Sequence, residues 1–223
     1  MKVGVSILSS SIKAEDIVKK LDGSSADYIH VDIMDGKFVE NKTCTYSEVK
    51  KIVSYSSLPL DVHLMVKDPA KYIEDYALLN TTNLIFHYEA VKDIESMISL
   101  VKEYGLKVGI AINPDTSEEV IFPYLKDIDV ALVMSVVPGK SGQSFIENTP
   151  SKIKNLKEEI IRQGVKTIIS VDGGINDETG LLCKEAGVDM LVSASYIHKD
   201  IVNNILGNES SNITASLNAM VVP

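Results

Sequence analysis

The chain begins with an alternating apolar run that passes into three serines, Val3-Gly-Val-Ser-Ile-Leu-Ser-Ser-Ser-Ile12. Alternation over a short run rich in valine and isoleucine predicts a β-strand. The segment after this strand indicates which kind of sheet it belongs to. An open doubly wound sheet usually carries a glycine-rich turn after its first strand, and residues 7–12 contain no glycine. The first turn therefore argues against an open sheet.

Similar runs recur along the chain, with helical patterns between them. Gly105, Gly164 and Gly187 stand just past predicted helices, where a left-handed residue is favoured. This alternation indicates βα units around a parallel sheet, either an open doubly wound sheet or a closed barrel. With the glycine-free first turn, we predict an α/β fold with a single (β/α)8 TIM barrel. The predicted strands are Val3–Leu8, Tyr28–Ile33, Leu60–Met65, Asn83–His87, Lys107–Ile112, Asp129–Met134, Lys166–Asp172 and Asp189–Ser193.

Length and charge restrict the function further. The 223 residues include 22 Lys and Arg against 31 Asp and Glu, for a net charge of −9. Without a basic cluster no nucleic-acid partner is expected, and no apolar run approaches the roughly 20 residues of a membrane span. The N-terminus shows no signal-peptide pattern, so we expect a cytoplasmic protein with reduced thiols at Cys44 and Cys183. We predict a barrel domain over 1–206 and a loosely ordered tail over 207–223.

Ionisable residues close three of the predicted strands. His30 and Asp32 share one face of the second strand, His63 closes the third, and Asp172 closes the seventh. Active sites of this barrel lie at the C-terminal ends of its strands. Two imidazoles and two carboxylates suit one divalent ion of zinc, iron, manganese or cobalt, whose identity stays open. His87 also closes a strand, but no partner at ligand spacing is found for it. We assign it a structural role, and His198 none.

Two further features lie at the same ends of the strands. Three methionines, at 34, 65 and 134, act either as core filler or as an apolar cover over a reacting centre. The segments Pro138–Gln143, Asp172–Gly174 and Ser193–Ser195 are rich in small residues. They are either plain βα turns or loops whose backbone N–H groups hold a phosphate.

Several motifs together resemble ribulose-phosphate 3-epimerase. They are Ser6-Ile-Leu-Ser9, His30-Val-Asp-Ile-Met-Asp-Gly-Lys-Phe38, Leu58-Pro-Leu-Asp-Val-His-Leu-Met65, Met134-Ser-Val136, Pro138-Gly139, Gly142-Gln-Ser-Phe145 and Val171-Asp-Gly-Gly174. The resemblance extends from about Val5 to about Ile197. It implies a (β/α)8 barrel of the ribulose-phosphate-binding type that epimerises C3 of a ketose phosphate, most simply D-ribulose 5-phosphate to D-xylulose 5-phosphate.

The resemblance also implies roles for individual residues. Metal ligands would be His30, Asp32, His63 and Asp172, with Asp32 and Asp172 doubling as acid and base. Inverting a carbon beside a ketone requires a proton to leave one face and another to arrive at the opposite face, through an enediolate. The small-molecule sugar phosphate would contact Ser6, Met34, Met65, Met134, Gly139, Gly142, Gln143, Gly173, Gly174, Ala194 and Ser195. A homo-oligomer is expected from the family.

The chain departs from the family pattern on the substrate side. The usual Asn-Pro-Gly-Phe-Gly-Gly-Gln loop is replaced by Val137-Pro-Gly-Lys140-Ser141-Gly-Gln, and Ala194 stands where glycine is usual. The substrate therefore stays open between a pentulose and a hexulose phosphate, as in an allulose-6-phosphate type 3-epimerase. A catalytically idle sugar-phosphate-binding barrel is the non-enzyme alternative. A related decarboxylase is disfavoured, because Asp32-Ile-Met34-Asp35 lacks the lysine of the Asp-x-Lys-x-x-Asp motif.

Overall fold

The computed structural model describes residues 1–7, 12–140, 142–199 and 218–220. In these residues, eight parallel strands pair in chain order and close into a barrel, as predicted. Each strand is buried along nearly its whole length, because helices cover the outside and side chains fill the inside. The strands are β1 Lys2–Ser6, β2 Tyr28–Met34, β3 Leu60–Met65, β4 Thr81–His87, β5 Lys107–Ile112, β6 Val130–Met134, β7 Ile168–Asp172 and β8 Met190–Ser193.

The helical segments follow the strands and pack around the barrel. The α-helices are α1 Ala14–Leu21, α2 Tyr46–Val53, α3 Ile73–Ala77, α4 Ile94–Glu103, α5 Thr149–Gln163 and α6 Asp177–Ala186, and residues 195–199 are also helical. Gly164 and Gly187 end α5 and α6 in the left-handed conformation, as predicted. Between β5 and β6 the chain forms only the 3-10 helix Glu118–Tyr124, which contains Pro123. Proline has no N–H to give to an α-helical hydrogen bond.

Three apolar clusters lie among the described residues, and the smallest consists of Tyr28, Met190 and Val192. The largest lies between the strands and the helices and includes Ile17, Leu64, Phe86 and Leu156, all fully buried. A smaller one, formed from residues such as Ile85 and Leu132, includes Met134 and lies against Val136 of the loop after β6. The alternation of the strands accounts for this division, since successive side chains point to opposite faces. Side chains that face inward near the C-terminal strand ends thus come together in one place.

The observed strand limits differ from the predicted ones by up to two residues. β4 begins at Thr81 rather than Asn83, and the register against β3 shifts between Leu60 and Asp61. Leu8, predicted to end the first strand, and most of the predicted tail 207–223 lie outside the described residues. Within that tail, residues 218–220 are helical, and Met220 is 2% exposed in the main core. No helix in the described parts of the chain is long and apolar enough to cross a membrane.

Candidate active site

A cleft opens at the C-terminal end of the barrel. Every residue predicted to contact substrate lines it, from the strand ends and from the loops after β6, β7 and β8. They are Ser6, Met34, Met65, Met134, Gly139, Gly142, Gln143, Gly173, Gly174, Ala194 and Ser195. Asp32 and Asp172 also line the cleft. The barrel therefore gathers side chains that are far apart in sequence around one opening.

Four ionisable side chains meet at the base of the cleft. One potential ligand atom from each of His30, Asp32, His63 and Asp172 lies within 4.8 Å of the others. Asp32 Oδ1 is 3.2 Å from His30 Nε2 and 3.0 Å from His63 Nδ1. Asp172 Oδ2 lies 3.9 and 3.8 Å from the same two nitrogens. Both rings are fully buried, whereas the Asp172 side chain is 16% exposed and faces the opening.

The outer nitrogen of His30 is held by a carboxylate that the sequence prediction missed. His30 Nδ1 lies 2.7 Å from Asp61 Oδ2, and Asn83 donates to Asp61 Oδ1 at 2.7 Å. Because a carboxylate only accepts, Nδ1 carries a proton and Nε2 is directed at the two site aspartates. Asp61 shares the inner face of β3 with His63 and Met65, and the period-two rule would have located it.

The outer nitrogen of His63 has a different partner. His63 Nε2 lies 2.9 Å from His87 Nε2, and His87 Nδ1 lies 3.3 Å from Glu89 Oε2. The expectation that His87 has no partner is therefore wrong. It faces inward on β4, two positions beyond Ile85, and the lateral contact depends on strand register rather than on spacing along one strand. His198 contacts the backbone oxygen of Ser6 at 2.8 Å and joins the helix at 195–199 to β1.

Burial and charge shift the pKa values of the two site aspartates in opposite directions. Desolvation opposes ionisation of Asp32. When no cation is bound, the charge of His30 and hydrogen bonds from both histidines outweigh it and lower the pKa of Asp32. Desolvation, and then the charge of Asp32, raise the pKa of Asp172. One carboxyl group thus favours its ionised form while the other favours its protonated form, which is how paired acids and bases are arranged in enzymes.

The rest of the cleft is apolar near the aspartates and rich in backbone donors farther out. Met34, Met65 and Met134 are each at most 3% exposed and border the opening. The three methionines thus place an apolar wall beside the carboxyl groups. Ser6 also borders the opening and donates from Oγ to Asp32 Oδ2 at 2.7 Å.

The loops after β6 and β7 form the outer part of the cleft. Gly174 has φ +63°, and a Cβ there would lie 2.8 Å from the backbone nitrogen of Phe145. Both the conformation and the close approach of backbone therefore require glycine. Gln143, predicted to bind substrate, donates from Nε2 to the carbonyls of Val137 and Lys140 at 2.6 and 2.8 Å and so closes its own loop.

Comparisons with known proteins agree with this geometry. The profile of the ribulose-phosphate 3 epimerase family matches residues 2–198. The chain belongs to this family. It is 40% identical over 198 residues to ribulose-phosphate 3-epimerase of Chlamydia pneumoniae, covering 87% of this chain and 86% of the relative. It is 39% identical over 216 residues to that of Bacillus subtilis, covering 94% and 100%. The family is one of isomerases.

Solved structures of lower identity support the fold alone. The tryptophan synthase complex of Pyrococcus furiosus aligns with a TM-score of 0.66 at 13% identity, covering 99% of this chain and 97% of that one. The crystal structure of KGPDC from Streptococcus mutans aligns with a TM-score of 0.64 at 15% identity, over 99% and 95%.

The residues at the base of the cleft fit a divalent ion, as the epimerase family implies. They supply two imidazole nitrogens and two carboxylate oxygens within 4.8 Å, a donor set that suits zinc, iron, manganese or cobalt. Each ring also has its outer nitrogen engaged, which is usual for histidines that bind metals. The departures from the family loop lie elsewhere. Lys140 is exposed on the rim of the cleft, and Ser141 lies outside the described residues.

Proposed function

We propose that this epimerase-family chain interconverts D-ribulose 5-phosphate and D-xylulose 5-phosphate by inverting C3. The observation that carries the proposal is the pairing of Asp32 and Asp172 across the cleft. They extend from β2 and β7, which β1 and β8 separate in the closed barrel. A ketose bound between them has one carboxyl group near each face. The relatives are named ribulose-phosphate 3-epimerases, which supports a ribulose phosphate as the substrate.

The two aspartates act as base and acid in turn. In one direction the ionised carboxylate of Asp32 removes the proton from C3, leaving an enediolate, and the protonated Asp172 delivers a proton to the opposite face. The reverse reaction exchanges these roles. A second turnover in the same direction requires Asp32 to lose its proton and Asp172 to regain one by exchange with solvent. Proton transfer by positioned groups contributes about 10²–10⁴ in rate.

His30, Asp32, His63 and Asp172 would hold the divalent ion. When bound, such an ion supplies Lewis-acid stabilisation of the negative charge that develops on the substrate oxygens, worth several kcal/mol. The chain contributes the surroundings. Met34, Met65 and Met134 keep water from the reacting carbon, which strengthens charge interactions there.

The phosphate group would lie in the outer part of the cleft. Backbone N–H groups around Gly142, Gly173, Gly174 and Ser195 can hold a dianion without side-chain charge, and Lys140 adds one cation at the rim. This arrangement reconciles a phosphate substrate with a chain whose net charge is −9.

A substrate panel tests the proposal. Purified protein is assayed for C3 epimerisation of ribulose 5-phosphate and of a six-carbon ketulose 6-phosphate, each with added divalent ion and with chelator. We expect the highest kcat/KM with the pentulose. A preference for the hexulose would favour the allulose-6-phosphate type. Tight binding of either sugar phosphate without turnover would favour the catalytically idle barrel.

Three further expectations from the sequence stay predictions. They are the homo-oligomer, the cytoplasmic location and the division into a barrel over 1–206 and a tail over 207–223.

A further inference from the structure

A row of side chains leads from the base of the cleft toward the loop after β5. It passes from His63 to His87 and then to Glu89, through contacts of 2.9 and 3.3 Å. The two rings are inclined by 28° with centroids 4.9 Å apart, and the ring of Phe38 covers His87 at 4.8 Å. His87 is fully buried. The contact between His63 and His87 is thus shielded from water, and polar groups buried in this way are costly unless they are paired.

The position of each proton in this row follows from its two ends. A cation at His63 Nδ1 requires that nitrogen to be unprotonated, so the ring proton is on Nε2. That N–H must donate to His87 Nε2, which leaves the proton of a neutral His87 on Nδ1. The Nδ1–H of His87 then donates to Glu89 Oε2. A neutral His87 therefore has one tautomer that satisfies all three residues at once.

The far end of the row is fixed as an acceptor. Glu89 Oε1 accepts from Thr116 Oγ1 at 2.5 Å and from the backbone N–H of Asn113 at 2.8 Å. The Nζ of Lys152, from α5, in turn bonds the backbone oxygens of Pro114 and Thr116. Glu89 is therefore tied to a braced loop, and its remaining oxygen is directed at His87.

The two site histidines consequently have unlike outer partners. The outer nitrogen of His30 meets the Asp61 carboxylate directly. The outer nitrogen of His63 reaches a carboxylate, that of Glu89, only through the imidazole of His87. Without His87, the Nε2–H of His63 would be buried with no acceptor, and the ring would prefer the other tautomer, with its proton toward Asp32 and no lone pair for a cation.

We propose that His87 and Glu89 are positioning residues that hold His63 in its Nε2–H tautomer and thereby set the affinity of the site for a divalent ion. The inference rests on the proposed metal centre. In this inference neither His87 nor Glu89 touches the substrate. Outer partners of this kind are typically worth 10–100-fold in metal affinity.

Two substitutions of His87 separate its hydrogen bond from its shape. His87→Phe keeps a ring between Phe38 and His63 but removes the acceptor. His87→Gln keeps an amide oxygen that can reach the position of the lost nitrogen. Glu89→Gln weakens the far end of the row at a residue that is partly exposed. Phe86→Leu is the control, because it alters a buried ring that faces the helices on the same strand.

Zinc affinity is measured by chelator competition on the full chain, together with the visible spectrum of the cobalt-loaded protein. We expect about 10–100-fold weaker zinc binding and an altered spectrum in His87→Phe, a change within about threefold in His87→Gln, and an intermediate loss in Glu89→Gln. Phe86→Leu should bind zinc as the unaltered chain does.

Two results would overturn the inference while leaving the metal centre in place. One is a His87→Phe protein that binds zinc as tightly as the unaltered chain. The other is an equal loss in Phe86→Leu, which would trace the effect to general destabilisation. If the unaltered chain itself binds no divalent ion, the proposed metal centre fails and the inference with it. Thermal unfolding of the metal-free variants shows that each is folded before the comparison.

Discussion

Replacing Gly174 by alanine should destabilise the protein much more than the same change at Gly142. Both glycines line the cleft and both have positive φ, +63° and +75°. They differ in their surroundings. A Cβ at position 174 would lie 2.8 Å from the backbone nitrogen of Phe145 and 3.0 Å from its Cα, whereas a Cβ at position 142 meets no atom of the described residues within 4 Å.

The magnitudes follow from these two differences. A left-handed conformation costs an alanine about 1–2 kcal/mol relative to glycine, and this cost applies at both positions. Overpacking adds about 1–3 kcal/mol at position 174 alone, because backbone atoms cannot move aside as a side-chain end can. The expected losses in the free energy of unfolding are therefore about 2–5 kcal/mol for Gly174→Ala and about 1–2 kcal/mol for Gly142→Ala.

Urea unfolding followed by circular dichroism measures both losses. The added methyl group at position 174 should also push the loop after β7 away from the loop after β6. We therefore expect KM for the sugar phosphate to rise in that variant. Equal destabilisation of the two variants would refute the reasoning, since it would mean that the contact between Gly174 and Phe145 is not tight in solution.

Three more outcomes are expected. Asp172→Asn should keep the fold, checked by circular dichroism, and lower turnover at least about 100-fold, because it removes a proton-transfer group; near-normal turnover would take Asp172 out of that role. Ser6→Ala removes the donor 2.7 Å from Asp32 Oδ2 and should lower kcat about tenfold, as expected for a bond to a charged group; an unchanged kcat would make this bond incidental. Removal of divalent ions by a chelator should abolish activity and re-addition should restore it; full activity in protein shown by elemental analysis to be metal-free would undo the ligand assignment.

The barrel could be predicted because its determinants are local and repeated. Eight alternating runs, and glycines such as Gly164 and Gly187 at helix ends, each report on a few neighbouring residues. The limits of the strands were less accurate. The early start of β4 at Thr81 comes with a register shift against β3, and register depends on packing between strands rather than on either strand alone.

The same distinction applies to the site. His30, Asp32, His63 and Asp172 lie on three strands, on faces that lead to the C-terminal ends, and all these ends of one barrel meet at the same rim, so their proximity could be inferred. The outer contacts of the histidines could not. Asp61 and His87 reach their partners sideways, from one strand to the next, and sequence spacing carries no information on that distance. The signal that was available is the alternation along each strand, which places Asp61 and His87 at inward-facing positions.

Exchange of the C3 proton tests the central claim most directly. The metal-loaded protein is incubated with ribulose 5-phosphate in D2O, and deuterium at C3 is followed by NMR, with Asp172→Asn as the control. The account predicts incorporation of deuterium at C3 in the substrate and its epimer with the unaltered chain, and little or no labelled epimer with the variant. Absence of exchange with every five- and six-carbon ketose phosphate tested would contradict it.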